Sequence, residues 1–193
     1  MDQNLILIIS YSYILGSIPF GLLITKFFLK KDLRKMGSGN IGATNVLRTG
    51  KKSLALITLL LDVLKGYGVV VLTSKFFPEF TYFSGLICFI GHIFPIWLKF
   101  SGGKGVATYL GIILAISIKL GIIFGLSWLI ILILTRYSSL ASVLSSLNIF
   151  LFSLYSNSID LDFIYLTFFV IIIFTHRENL IRLKNASEDK IKF

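Results

Sequence analysis

Long uncharged apolar runs, interrupted by short clusters of Gly, Asn, Lys and Arg, make up most of this chain. A bilayer core about 30 Å thick needs roughly 20 apolar helical residues to cross it, and only helices or closed barrels satisfy their backbone groups there. These runs do not alternate with polar residues, so they predict helices. Leu5 to Leu29 is the first; it follows Asp2 without a basic leader and is too long and too aromatic for a cleaved signal, so it reads as a retained span. Leu54 to Thr73 is the second, closed by Ser74, Lys75 and Pro78. Tyr82 to Leu98 is the third, with Pro95 expected to kink its end.

The stretch from Val106 to Leu134 is either one overlong span or two short ones divided at Lys119, Leu120 and Gly121. Charge decides between them. With two spans, and with Tyr137 to Tyr155 and Leu161 to Thr175 as the last two, the chain has seven helices, its N-terminus outside and its C-terminus cytoplasmic. The cations Lys30, Lys31, Arg34, Lys35, Arg48, Lys51, Lys52, Lys99, Lys104, Arg136, Arg177, Arg182, Lys184, Lys190 and Lys192 then face inward. Lys75 and Lys119 stay outside with Glu79, Asp160 and Asp162. A single long span would reverse Arg136 and the basic tail against that bias. The cost of the division is length, since helices of roughly 14 residues reach only about 21 Å.

Composition agrees with an all-α, polytopic integral membrane protein forming one transmembrane domain over residues 1–193. Hydrophobic residues are 55% and charged residues 15% of the chain, where a soluble domain carries about 25% charged. The formal charge of +10 would suggest nucleic acid in a soluble protein; here it is absorbed by cytoplasmic loops, so no nucleic-acid partner is expected. The single cysteine, Cys88, excludes an intrachain disulfide and a cysteine zinc cluster, and the two histidines leave little scope for a metal site. Neither a cofactor nor a metal is expected.

Three polar clusters stand out. The first runs from Gly37 to Asn45 and continues to Arg48 and Lys51. Gly37, Gly39 and Gly42 match GxGxxG in form, but the preceding residues are charged rather than strand-like and no βαβ unit fits, so the dinucleotide reading is rejected. What remains is a set of donors: glycine N–H groups that can converge on an anion, neutral donors on Ser38, Asn40 and Asn45, and the fork of Arg48. A plain Gly/Asn turn beside inward-facing cations fits the same residues. The second cluster joins Gly91, His92 and Pro95 to Gly102, Gly103, Lys104, Gly105 and Thr108. Leu98 and Gly105 stand where a Walker A loop needs Gly and Ser/Thr, so this is no P-loop, yet a Gly-Gly-Lys-Gly turn opening a helix suits a phosphate. The competing reading is a tight interhelical turn with a snorkelling lysine.

His92 reads as a hydrogen-bonded packing residue and Gly91 as a point of close helix contact. The third cluster is His176, Arg177 and Asn179, with Arg182 and Glu188 beyond. His176 and Asn179 share a helical face, and the arginines suit anionic lipid headgroups. Arg136 and Ser139 mark a further junction, where Arg136 is either an anchor or a ligand. Asp62 and Lys65, three apart inside the second span, can offset each other's burial as a structural ion pair, and as intramembrane charges they are also functional candidates. The clusters are rich in phosphate donors and poor in acids, which argues against magnesium-dependent chemistry. No histidine is followed at the fifth position by Asp, so the acid–base dyad of soluble acyltransferases is missing.

The segments SGNIGATNVLRTGKK (38–52), GHIFPIWLKFSGGKGVAT (91–108) and HRENLIRLKNASE (176–188) resemble the bacterial acyl-phosphate:glycerol-3-phosphate acyltransferase family, PlsY, in order and spacing. The resemblance spans nearly the whole chain. It implies a seven-helix enzyme of the bacterial inner membrane that moves a fatty acyl group from acyl phosphate to the 1-position of glycerol 3-phosphate, giving lysophosphatidic acid and inorganic phosphate. By resemblance, Ser38, Arg48, Lys104, His176 and Asn179 are the activity residues. Asn40, Gly42, Asn45, Gly102, Gly103, Gly105, Thr108, Arg136 and Ser139 are substrate contacts, and Glu188 is a structural acid. The partners expected are the two phosphate substrates and membrane lipids. The chain departs from the family pattern at Leu180 and at Ala186, where the family usually has Ile and Gly, and the alanine bears on the turn leading to Glu188. A small-anion or organophosphate transporter is the competing class; it would place its binding residues near the midplane and often shows paired halves, neither of which is visible.

Overall fold

A computed structural model describes residues 3–155 and 159–191, without the side chains at 159 and 160. Asp2, Lys192 and the side chain of Asp160, which enter the charge argument, lie outside the described residues. The helices are α1 Gln3–Gly16, α2 Phe20–Leu29, α3 Ala43–Leu47, α4 Lys52–Phe76, α5 Thr81–Ile93, α6 Val106–Ile116, α7 Ile118–Thr135, α8 Ser138–Leu154, α9 Ile159–Thr175 and α10 Arg177–Lys184. They fall into two compact units, Met1–Ile116 and Ser117–Phe193.

Among the described residues, four segments are long and apolar enough to cross a bilayer: Gln3–Leu29, Lys52–Phe76, Pro78–Leu98 and Ile118–Thr135; α9 with α10 makes a fifth if that bent pair is one span. α6 and α8 are apolar but shorter. The span expected from Leu5 to Leu29 is present, built from two helices rather than one. Gly16 lies at the end of α1, and Pro19, which has no N–H to give and restricts the residue before it, stands at the cap of α2. Pro95 acts as foreseen: α5 stops at Ile93, and a 3-10 turn, Ile96–Leu98, follows the proline. The ambiguous stretch does divide, but at Ser117 rather than at Lys119 to Gly121. Ser117 is extended (φ −155°) and its hydroxyl accepts from the Leu120 N–H at 3.4 Å, an N-cap that starts α7. Lys119 thus sits inside the first turn of a helix.

In the first unit α4 is the central helix. Its buried residues, Ala55, Thr58, Asp62, Lys65, Gly66, Val69, Val70 and Thr73, recur at helical spacing, while Leu56, Leu59, Leu60, Leu64 and Leu72 are exposed. In lipid the apolar face gains nothing by hiding, so packing selects small and polar residues for the inside. Thr58 and Thr73 satisfy their hydroxyls on carbonyls four residues back, at 2.8 Å each. Asp62 and Lys65 form the expected ion pair at 2.7 Å. A Cβ on Gly66 would meet the Thr108 carbonyl oxygen and one on Gly111 that of Val63, so α4 and α6 touch backbone to backbone. Gly91 likewise lets α5 approach Tyr13 of α1. Contacts of Tyr11 with Thr73, Ile18 with Lys65 and Gly21 with Thr58 run in opposite senses along the two segments, so α1 and α2 are antiparallel to α4.

The second unit follows the same rule. α8 buries Ser139, Ser142, Ser145, Ser146 and Ser153 and exposes Leu144, Leu151 and Phe152. Trp128 Nε1 donates to Ser142 at 3.0 Å, Asn148 to Ser127 at 3.4 Å, and the Lys119 ammonium lies over the Phe152 ring. Those three contacts fix α7 and α8 as an antiparallel pair, with Lys119 at one end and Arg136 and Ser139 at the other.

Candidate active site

In the first unit the loop between α2 and α4 is organised around one buried side chain. Asn45, in α3, donates through Nδ2 to the carbonyls of Asn40 (2.7 Å), Met36 (2.9 Å) and Leu33 (3.2 Å), and its Oδ1 accepts from the Ser38 N–H at 3.0 Å. Asn45 is therefore committed to shaping the loop, not to the substrate contact that the resemblance implies. Asn40 Oδ1 accepts from the Gly42 N–H at 2.9 Å, which holds Gly42 at the cap of α3. Gly37 is left-handed (φ +53°), and a Cβ there would press on the Asn45 side chain and lie 3.2 Å from Arg48 Cδ. Ser38 and Arg48, at the two ends of the turn so formed, are both exposed. Arg34 belongs to another arrangement: its fork grips Asp32 at 3.0 and 2.7 Å, and these hydrogen bonds hold the Asp32 carboxyl well below the usual carboxylate range.

The second loop is pinned from beneath. The Gly102 N–H donates to the Ile93 carbonyl and the Gly103 N–H to that of His92, both at 3.0 Å. These two groups anchor the turn and so are not the phosphate donors expected from the glycine pattern; the first-turn N–H groups of α6, without intrahelical partners, are the remaining backbone donors. A Cβ on Gly103 would fall 2.0 Å from His92 Nε2, and one on Gly105, whose φ is +83°, would fall 2.2 Å from the Phe89 ring. The loop can lie this close only as glycine. Lys104 projects between them, half-buried. Thr108 is fully buried, with its carbonyl against Gly66 and its hydroxyl without a hydrogen-bond partner among the described residues. The two loops share a footing: Leu98 and Leu47 pack on the cluster of Leu22, Leu33, Ile41, Val46 and Ala55. Both therefore emerge at the same end of this unit.

The third constellation lies in the second unit, at a break. α9 ends at Thr175 and α10 restarts at Arg177, bent by 60° from its predecessor, with buried His176 at the joint. The one continuous face expected for His176 and Asn179 is therefore folded at its middle. His176 Nδ1 lies 2.8 Å from the Ile172 carbonyl. A carbonyl only accepts, so in this contact Nδ1 is the donor. Glu188 gathers the surrounding groups: Asn179 Nδ2 donates to it at 2.6 Å, Ser139 Oγ at 2.8 Å and Arg182 Nε at 2.8 Å. Burial pushes the Glu188 carboxyl up, but the hydrogen bonds from Asn179, Arg182 and Ser139 outweigh it and hold it below its ordinary value. Arg182, read from the sequence as a lipid contact, is thus a partner of Glu188, and Ser139 serves the same carboxylate. Arg136 is exposed and left-handed (φ 65°), and its carbonyl accepts from the Ile191 N–H at 2.8 Å, which ties down the tail. The roles of Phe89 and Arg182 carried no signal in the sequence; pattern alone does not say which ring lies under a glycine.

A family model described as glycerol-3-phosphate acyltransferase matches residues 6–186. The glycerol-3-phosphate acyltransferase of Pelagibacter ubique (strain HTCC1062) is 50% identical over 181 residues, covering 94% of each chain. That of Mesorhizobium japonicum is 46% identical over 191 residues, covering 99% of this chain and 98% of its own. The crystal structure of PlsY (YgiH), an integral membrane glycerol 3-phosphate acyltransferase, superposes in its glycerol 3-phosphate form with a TM-score of 0.92 at 37% identity, over 97% of this chain and 95% of that one. Its lysophosphatidic acid form gives 0.89 over the same shares.

Proposed function

The chain belongs to the glycerol-3-phosphate acyltransferase family, and from that membership we propose that it moves a fatty acyl group from acyl phosphate to the 1-position of glycerol 3-phosphate. It is an integral membrane acyltransferase, and the transporter alternative is not favoured. The family match runs through both compact units, which supports treating residues 1–193 as one catalytic domain. Its setting is the bacterial inner membrane, crossed seven times, with the polar clusters on the cytoplasmic face.

The donor is an activated mixed anhydride, so no covalent enzyme intermediate is needed. The 1-hydroxyl oxygen bonds to the acyl carbonyl carbon, the bond from that carbon to the phosphate oxygen breaks, and inorganic phosphate leaves. Lys104, Ser38 and Arg48 neutralise and orient phosphate charge; Asn40 and the N-terminal turn of α6 add neutral donors. The hydroxyl proton passes to His176 or to a substrate phosphate, and the Nδ1 contact with the Ile172 carbonyl holds the His176 ring in place for either role. Asn179, Ser139 and Glu188 hold the joint in which His176 sits. The observation that carries this reading is the common apolar footing that brings two cationic glycine loops to one end of the first unit.

The test is direct. Purified protein given palmitoyl phosphate and glycerol 3-phosphate should release phosphate and form lysophosphatidic acid in equal amounts, with no turnover of acyl-CoA or acyl carrier protein. Turnover of either thioester in place of acyl phosphate would refute the donor assignment.

A further inference from the structure

Beneath the second loop lies a buried ionic trio that the reaction above does not use. The Lys65 ammonium is 3% exposed and has three neighbours at hydrogen-bonding distance: Asp62 Oδ1 at 2.7 Å, His92 Nδ1 at 2.8 Å and the Ile18 carbonyl at 2.8 Å. The Phe20 ring covers its remaining side at 5.6 Å. The ammonium gives hydrogen bonds to His92 Nδ1 and the Ile18 carbonyl, and Asp62, whose Oδ1 also lies 3.6 Å from His92 Nδ1, balances its charge. An ammonium has no lone pair, so His92 Nδ1 accepts, which places the ring proton on Nε2. Nε2 is the atom that lies closest to where a Gly103 Cβ would be, while the His92 carbonyl accepts the Gly103 N–H. The same residue thus supports the loop from both its backbone and its ring.

We propose that Asp62, Lys65 and His92 are positioning residues for the Gly102–Gly105 loop: the ion pair orients the His92 ring and fixes its tautomer, and the ring sets the height at which the loop presents Lys104 and the start of α6 to a phosphate group. Plain packing does not account for the arrangement. A lysine and an aspartate inside the membrane are costly, and an apolar pair of equal volume would join α4 to α5 as well. What such a pair cannot do is dictate which ring nitrogen faces Gly103. The inference rests on the second loop being a phosphate site, and it assigns the trio to ligand affinity, not to the chemical step.

The experiment compares wild type with Asp62→Leu/Lys65→Met, His92→Gln and His92→Asn, reading thermal stability, the stabilisation produced by glycerol 3-phosphate or inorganic phosphate, and KM and kcat. Gln can place an amide N–H near the position of Nε2; Asn cannot. The expected result is a KM for glycerol 3-phosphate raised about tenfold or more in the double variant and in His92→Asn, a kcat within about threefold of wild type, an unchanged KM for acyl phosphate, and substantial rescue in His92→Gln. Unchanged KM in the double variant overturns the proposal. So does a loss of stability and kcat together that His92→Gln and His92→Asn share equally, since that marks a purely structural role. Should wild type show phosphate-dependent stabilisation but no turnover, the acyl-transfer reading fails on its own, and the stabilisation series still decides the positioning.

Discussion

At the scale of single residues, the arrangement separates groups that face a ligand from groups that hold them. Asn45, Ser139 and Arg182 resemble substrate or lipid contacts by type, yet each gives hydrogen bonds to the protein's own loop or to Glu188. Lys104 stands between Gly103 and Gly105, half-buried, in the turn that opens α6. Lys104→Ala should lower turnover about a hundred- to a thousandfold, the scale of losing one preorganised charge stabiliser, while leaving the thermal unfolding midpoint close to wild type. Retained turnover in the folded variant would remove Lys104 from the reaction. Ala186 makes the opposite case, a residue whose identity is a cost. Its φ is 52°, where an L side chain is strained by about 1–2 kcal/mol, and it is exposed, so nothing in the packing returns that energy. Ala186→Gly should therefore stabilise the protein by roughly 0.5–1 kcal/mol after the added flexibility of the unfolded chain is subtracted, measurable as a raised unfolding midpoint with unaltered kcat.

Elements carry the next level of the argument, and the tail shows how. Residues 186–191 have no regular structure of their own, and they are retained by Glu188 and by the Ile191 N–H on the Arg136 carbonyl. Because the folded Glu188 carboxyl is held below its ordinary value, its contribution is complete above about pH 4.3 and is lost as pH falls through the lower folded value. Glu188→Gln should cost about 1–3 kcal/mol at neutral pH, and the stability difference from wild type should shrink below about pH 4. A difference that stays constant with acidification would contradict the sign. How much of this was legible beforehand depends on range. Helices α4, α5, α8 and α9 follow from apolar runs and a proline, and the third-residue spacing of Asp62 and Lys65 announced their pair. The break at Pro19 was written in the sequence but overridden by the length of the run, and the Ser117 cap was missed beside the more conspicuous lysine two residues on. What could not be read is long-range: that Asn45 would spend its amide on three carbonyls, that Gly102 and Gly103 would point their N–H groups inward, or that Phe89 would lie beneath Gly105. Spacing along a chain does not encode which distant atom fills the remaining valence of a donor.

For the whole molecule, the decisive issue is sidedness. In the first unit the 25 residues of α4 span about 37 Å, so Lys75 lies at the far end from the loops that flank Lys52. In the second, the 18 residues of α7 span about 27 Å, and the antiparallel pairing with α8 puts Lys119 at the far end from Arg136, Ser139 and the Glu188 group. Each unit thus fixes its own poles, and on the proposed function the loop end of the first and the Glu188 end of the second open to one compartment. That topology follows the positive-inside bias, with Lys75 and Lys119 opposite the loop and tail cations. This asks α6 to connect the two sides with 11 residues, about 16 Å of helix, aided by its flanking residues or by a locally thin bilayer. Replacing buried Cys88 by Ala gives a background without thiols, into which Lys75→Cys and Lys119→Cys can be placed singly. Both should react with a membrane-impermeant maleimide added to intact cells, whereas Lys52→Cys should react only after the membrane is opened. If Lys75→Cys labels from outside and Lys119→Cys only from within, α6 does not cross, His176 and Glu188 face away from Lys104, and a single acyl-transfer site built from both groups is untenable.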